Sequence, residues 1–474
     1  MSLDRRQFIS LLGSGTALGS ARLRAGAQAP LPSWLEPYRQ PAELILQAAL
    51  ADYASWERLA QLTDTFGHRF SGSESLEASI RWVVGEMERD GLENVRAEPV
   101  KVPRWVRGAE RLEVVTPYPR RVPMLGLGGS IATPREGLEA QLMVVESFSD
   151  LERRRDEARG RIVLFNAPFT DYVSTVVYRT DGPARAARAG AVAALVRSVG
   201  PEGLRTPHTG ATRTTAGLPR IPAAAVPVED ARRLRRMVER GQQVRVRLHM
   251  EAETRPDADS ANVVGELRGR ERPEEIVLVG AHLDSWDVGD GASDNGGGCI
   301  AVWEIARLLA RLQLRPRRTV RVVLFTNEEN GLRGAYNYRD VHRAELLRHV
   351  MMLESDLGVA APSGFGVNGS ENVQRQVQAI AALLAPIGAT HVRPSGGGAD
   401  IRPSAEVAGT PMLSPDVDSS RYFIVHHTEA DTVDRISPGD MAKHVAALAV
   451  MSYVVADLPH RLGQEPEGSP PVSQ

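Results

Sequence analysis

Four apolar runs in the second half of the chain stop at an acid or an imidazole. Residues 276–279 lead through Gly280-Ala281 to His282, and 320–325 lead to Asn327-Glu328-Glu329. Residues 350–353 lead to Glu354-Ser355-Asp356, and 422–425 lead to His426-His427. Short continuous apolar runs bounded by polar residues read as buried strands. Between them apolar positions fall at helical spacing. In 296–312, Ile300, Val302, Ile305, Ala306, Leu309 and Leu312 face inward, and 373–384 reads as another helix. Ser437-Pro438-Gly439-Asp440 combines an N-cap serine, a first-turn proline and an acid, and opens a last helix to about 456. Strands alternating with helices from about 260 to 460 predict an α/β fold: a mixed, mostly parallel sheet flanked by helices.

Upstream, 42–65 carries Leu44, Ile45, Ala48, Leu50, Tyr53, Leu59 and Leu62 at helical spacing. Residues 76–90 form a second helix stopped by Gly91. Strand-like runs follow at 95–102 and 112–115. From about 125 to 255 the texture changes. Short strands at 142–145, 161–165, 192–196 and 223–226 alternate with helices at 183–189 and 229–240, punctuated by glycine and proline. This stretch has no clustered ligand residues, and His208 reads as an isolated surface-loop residue. The expected organisation is a main domain from 30–124 and 256–460, an inserted α/β domain at 125–255 without its own chemistry, and a polar, proline-rich, disordered tail at 461–474.

Composition narrows the chemistry. The 474 residues are 42% hydrophobic and 24% charged with a formal net charge of −2, so no cationic excess points to nucleic acid or an acidic membrane. The single cysteine, Cys299, excludes an intramolecular disulfide and zinc sites built from several thiolates, and its helix makes it a core residue. Any metal must sit mainly on His, Asp and Glu. The N-terminal Asp4-Arg5-Arg6-Gln7-Phe8-Ile9 resembles a twin-arginine export signature, with Ala25-Gly26-Ala27 as a cleavage site. Residues 1–29 therefore read as a signal peptide. No run is long enough to span a bilayer, so an exported protein, periplasmic or extracellular and without stable membrane insertion, is expected.

In open α/β sheets, ligands bind beyond the carboxyl ends of the strands. The acids and imidazoles sit there, with Asp294 in the glycine-rich loop after the first run. Imidazole and carboxylate suit zinc or a similar divalent ion. Two such ions about 3.5–4 Å apart need a bridging carboxylate, further ligands on each, and a separate base. His282, Asp294, Glu329, Asp356 and His427 supply one such set and leave Glu328 over. Neighbouring side chains project differently, so one glutamate can bind metal while the other takes a proton.

The segments Gly-Ala-His-Leu-Asp-Ser-Trp at 280–286, Ser-Asp-Asn-Gly at 293–296, Asn-Glu-Glu at 327–329, Glu-Ser-Asp at 354–356 and His-His-Thr-Glu-Ala-Asp-Thr at 426–432 resemble the M28 zinc exopeptidases, most closely the plasma glutamate carboxypeptidase subgroup. The inserted stretch is similar to the protease-associated domain of some exopeptidases. The resemblance implies two Zn2+ ions per chain and a small peptide substrate, dipeptides foremost. Asp294 would bridge the ions, with His282 and Asp356 completing one and Glu329 and His427 the other. Glu328 would be the general base, and Asp284 would orient His282. His426 would touch substrate, stabilise the oxyanion, or do neither. Gly397, in the loop 395–400, would wall the pocket, and Arg402 or Arg393 would hold a substrate carboxylate. A homodimer is compatible with this reading. The rivals are a single-zinc glutaminyl cyclase and a non-catalytic, receptor-like binding protein. Which end of the peptide is held stays open.

Overall fold

In a computed structural model, which describes residues 31–51 and 53–464, the chain forms two eight-stranded sheets. The expected signal segment and the tail beyond 464 lie outside the described residues. The first sheet runs in the order Glu93–Val106, Glu253–Leu267, Arg318–Phe325, Arg272–His282, His349–Glu354, Met412–Asp416, Gly364–Asn368, His391–Arg393. Its four central strands, from Arg318–Phe325 to Met412–Asp416, are mutually parallel. Antiparallel pairings flank them. Val277 and Val279 pack into one apolar cluster while Ile276 and Leu278 pack into another on the opposite face. A strand buried on both faces has no polar alternation, which is why 276–279 is apolar throughout.

The helices Gly297–Arg311 and Pro438–Asp457 cover one face. The second of these starts where the N-cap pattern predicts, with Ser437 Oγ accepting from Asp440 N at 3.0 Å. Two expectations fail locally. The helix expected over 42–65 is split into Arg39–Leu50 and Ala54–Phe66. Residues 422–425 belong to a short helix, Ser420–Val425, not to a strand. A four-residue apolar run has no periodicity of its own, and the nearby sheet position is filled by Met412–Asp416.

The second sheet runs Arg120–Val122, Glu110–Thr116, Arg245–Met250, Leu138–Val145, Ile162–Phe165, Ala193–Arg197, Ala223–Val226, Leu125–Gly126. It takes in strands from Glu110 onward, so the run at 112–115, expected in the main domain, pairs here. Nothing in a half-buried strand encodes which sheet it joins. The second sheet has its own core, and Trp286, from the loop after His282, is buried in it beside Phe70 and Trp105. Gly128 leaves room for that ring, because a Cβ there would lie 2.2 Å from Trp286. The two sheets are thus interlocked next to the first predicted ligand.

The loop between His282 and Asp294 is tied down by one side chain. Arg69 is fully buried and donates to the carbonyls of Leu283 (2.8 Å), Gly67 (2.8 Å), Asp290 (2.7 Å) and Gly291 (2.8 Å). Its own N–H donates to Ser285 Oγ at 2.9 Å. An Arg69→Met substitution strands the carbonyls of Leu283, Gly67 and Asp290 without donors, while that of Gly291 keeps the N–H of Gly296 at 2.9 Å; the cost is about 1–3 kcal/mol for each one left buried. The expected loss is at least about 3 kcal/mol, read as a lower midpoint in urea unfolding; a shift under about 1 kcal/mol would contradict this role.

Candidate metal centre

Parallel register brings the chemistry together. His282 ends its strand opposite Phe325, and Gly280 lies opposite Glu354. The residues just beyond those strand ends, Glu328, Glu329 and Asp356, therefore share one end of the sheet with His282. Asp294 enters from the turn Ala292–Gly296. The N–H groups of Ser293 and Asp294 donate to the two oxygens of Asp431 at 2.7 and 3.0 Å. The Asp294–Asn295 peptide is cis, and Asn295 Nδ2 donates to the Ser355 carbonyl at 2.9 Å. His427 follows the helix Ser420–Val425 with a left-handed φ of 60°.

The five predicted ligands converge. His282 Nε2 lies 3.1 Å from Asp356 Oδ1 and 3.3 Å from Asp294 Oδ1. His427 Nε2 lies 3.2 Å from Asp294 Oδ2 and 3.1 Å from Glu329 Oε2. Each imidazole donates from its other nitrogen to a carbonyl, which can only accept. His282 Nδ1 is 2.9 Å from the Asp284 carbonyl, and His427 Nδ1 is 3.2 Å from the Thr209 carbonyl. Both Nε2 atoms are thereby turned as lone pairs toward carboxylates unless a cation or a second proton intervenes. Burial pulls the His282 pKa down, yet Asp356 and Asp294 outweigh it and hold it well above the usual imidazole value. Burial likewise opposes Glu329 and Asp294 at His427, and the balance stands at about 9. Asp294 Oδ2 and Glu329 Oε1 are buried without a hydrogen bond. Oxygen and imidazole atoms converging in this way fit hard or borderline divalent cations such as zinc.

Glu328 lies beside this cluster on the floor of a cleft of about 500 Å3, which is also lined by Tyr172, Arg179, Asn330, Tyr422 and His426. Desolvation raises the Glu328 carboxyl well above the usual range; His282 pulls it down, and Asp356 and Glu329 push it up further. His426 stacks on His427 with centroids 3.5 Å apart. Its Nε2 is 3.6 Å from Asp294 Oδ2, and its Nδ1 is buried without a partner.

Other expectations are corrected by the geometry. The Asp284 carboxylate is 3.7 Å from His282 Nδ1, and the backbone carbonyl of the same residue makes the hydrogen bond instead. The carboxylate accepts from the N–H groups of Glu328 (3.0 Å) and Glu329 (3.3 Å), so it holds the loop that carries both glutamates. Gly397 and Arg402 do not line the cleft. Gly397 packs on Met412, Arg402 is exposed, and Arg393 is paired with Asp416 at 2.7 Å. His208 is buried, not at the surface, and desolvation lowers its pKa to about 3. Cys299 is in the core as expected, its thiol donating to the His282 carbonyl at 3.0 Å. Arg69, Asp431, Arg179 and Thr209 were not singled out for a role in the sequence. Only Asp431 carried a signal, as the acid five residues after His426 in a segment already marked by two histidines.

The chain resembles known proteins in sequence and in fold. The sequence profile of peptidase family M28 matches residues 262–452. The chain is 44% identical to carboxypeptidase Q of Pongo abelii over 90% of its own length and 90% of that protein. Among solved structures it resembles a peptidase M28 precursor from Shewanella amazonensis, with a TM-score of 0.87 and 33% identity over 91% of this chain and 99% of the other. A zinc aminopeptidase from Bacillus subtilis shares the fold, with a TM-score of 0.64 and 22% identity over 84% of this chain and 93% of the other.

Asp431 holds the backbone from which Asp294 projects. Asp431→Ala is expected to weaken zinc binding about 10–100-fold, as loss of an outer partner of a metal ligand does, measured by competition with a chelator. Unchanged affinity in a folded variant would remove Asp431 from this role.

Proposed function

The chain belongs to peptidase family M28, and from that premise we propose that it is an exported two-zinc exopeptidase acting on dipeptides or short peptides. It is a metallopeptidase, a hydrolase acting on peptides, and its relatives imply zinc. The observation that carries the two-ion reading is the sharing of Asp294: its two oxygens face different imidazoles, His282 at 3.3 Å and His427 at 3.2 Å. In this reading Asp294 would be shared between the two ions, with His282 and Asp356 holding one and Glu329 and His427 the other. Zinc bound there would polarise the scissile carbonyl and acidify a water.

Glu328 is the base. Its carboxyl takes up a proton readily, because desolvation and the neighbouring acids Asp356 and Glu329 disfavour its charge. It takes the water's proton and returns it to the leaving amine, and its loop is held for that task by the Asp284 carboxylate. His426, against whose charged form burial and the neighbouring His427 both act, is assigned to the carbonyl oxygen as charge develops there. The relatives named carboxypeptidase Q support a free C-terminus as the end that is held. Export by the twin-arginine route, a homodimer and an inserted domain of protease-associated type belong to the same reading. Among the described residues no helix is long and apolar enough to cross a membrane.

Glu328→Gln keeps shape and removes the base. Zinc content should stay at two per chain while kcat falls roughly 10²–10⁴-fold. Near-normal turnover would remove Glu328 as base. In a parallel screen, N-acylated dipeptides should be cleaved and C-amidated ones spared; the reverse pattern would overturn the polarity.

A further inference from the structure

The second sheet was expected to be chemically inert, yet it supplies a group behind one of the metal-ligand imidazoles. Thr209, in the loop before the strand Ala223–Val226, grips His427 twice. Its N–H donates to the His427 carbonyl at 2.9 Å, and its own carbonyl accepts from His427 Nδ1 at 3.2 Å. That carbonyl is in turn held by Arg179, from the helix Tyr172–Thr180, whose Nη1 donates to it at 3.2 Å. The same Nη1 lies 3.2 Å from His427 Nδ1, so one carbonyl receives both donors.

Arg179 is itself buried, and its Nε has no hydrogen-bond partner. Its Nη2 donates to the Tyr172 hydroxyl at 2.9 Å. The imidazole of His427 lies between this guanidinium and the carboxylates of Asp294 and Glu329. Space for the guanidinium is provided by Gly210, where a Cβ would sit 2.3 Å from Arg179 Cζ. A ligand histidine on a left-handed backbone needs its ring direction set from outside, and its non-coordinating N–H normally finds a carbonyl or carboxylate for that purpose.

We propose that Arg179 is a positioning residue for the metal centre: by holding the Thr209 carbonyl against His427 Nδ1, it aims Nε2 at Asp294 and Glu329. Zinc affinity on the His427 side then depends on a residue of the second sheet. This rests on the two-zinc reading above.

The test is a chelator-competition titration of zinc on the full chain, with circular dichroism to establish folding. Arg179→Met should hold one zinc as the unsubstituted protein does and bind the second about 10–100-fold more weakly. Arg179→Lys, which retains one donor, should recover part of that loss. A folded Arg179→Met with both affinities unchanged overturns the proposal. If Arg179→Met does not fold, Gly210→Ala displaces the guanidinium instead, and an unchanged titration there overturns it. Fewer than two zinc ions on the unsubstituted protein would overturn the two-zinc reading, and the proposal with it.

Discussion

Too many carboxylates meet too few cations at one end of the first sheet. Asp294 and Glu329 are buried, Glu328 and Asp356 line the cleft beside them, and His282 and His427 are the imidazoles set among these acids. An unpaired buried carboxylate costs several kcal/mol, so a cluster of this kind is tolerated only where cations complete it. Protons on both imidazoles are one solution. Divalent ions are the other, and they would also satisfy Glu329 Oε1, which is buried without a hydrogen bond. The arrangement therefore stores a demand for positive charge, which divalent ions held there would meet.

The surroundings serve to keep that cluster from relaxing. The Arg69 guanidinium fixes the loop from His282 to Asp294 through backbone carbonyls. Asp431 and the Asp284 carboxylate each cap two consecutive N–H groups, and each does so next to a predicted ligand. Trp286 anchors the same region in the core of the second sheet, and Thr209 returns the contact at His427. Most of the residues that aim the site do so through main-chain partners. A ligand carboxylate held in this way cannot swing to a nearer counter-ion, so its charge stays available in the cleft.

Much of this was legible in the sequence. Parallel strands buried on both faces leave continuous apolar runs, and the acids and imidazoles at their ends mark the functional edge, which is how His282, Glu328, Glu329 and Asp356 could be nominated. Asp294 was legible from its glycine-rich loop. The run 422–425 misled because four apolar residues fit a strand or one helical turn equally well. Asp284 misled because a residue type reveals a carboxylate but not whether its side chain or its carbonyl meets the imidazole. His208 and Arg179 were beyond reach: the burial of the first and the approach of the second to Thr209 and His427 are set by the tertiary fold, which leaves no pattern in local sequence. The sheet membership of Glu110–Thr116 was hidden for the same reason.

In the two-zinc reading one carboxylate, Asp294, holds both ions. This is tested most directly by zinc stoichiometry, by elemental analysis after gel filtration, of the unsubstituted protein and of Asp294→Ala. Two zinc ions per chain are expected in the first and loss of both in the second, with the fold retained. A folded Asp294→Ala chain that still carries two zinc ions would contradict it.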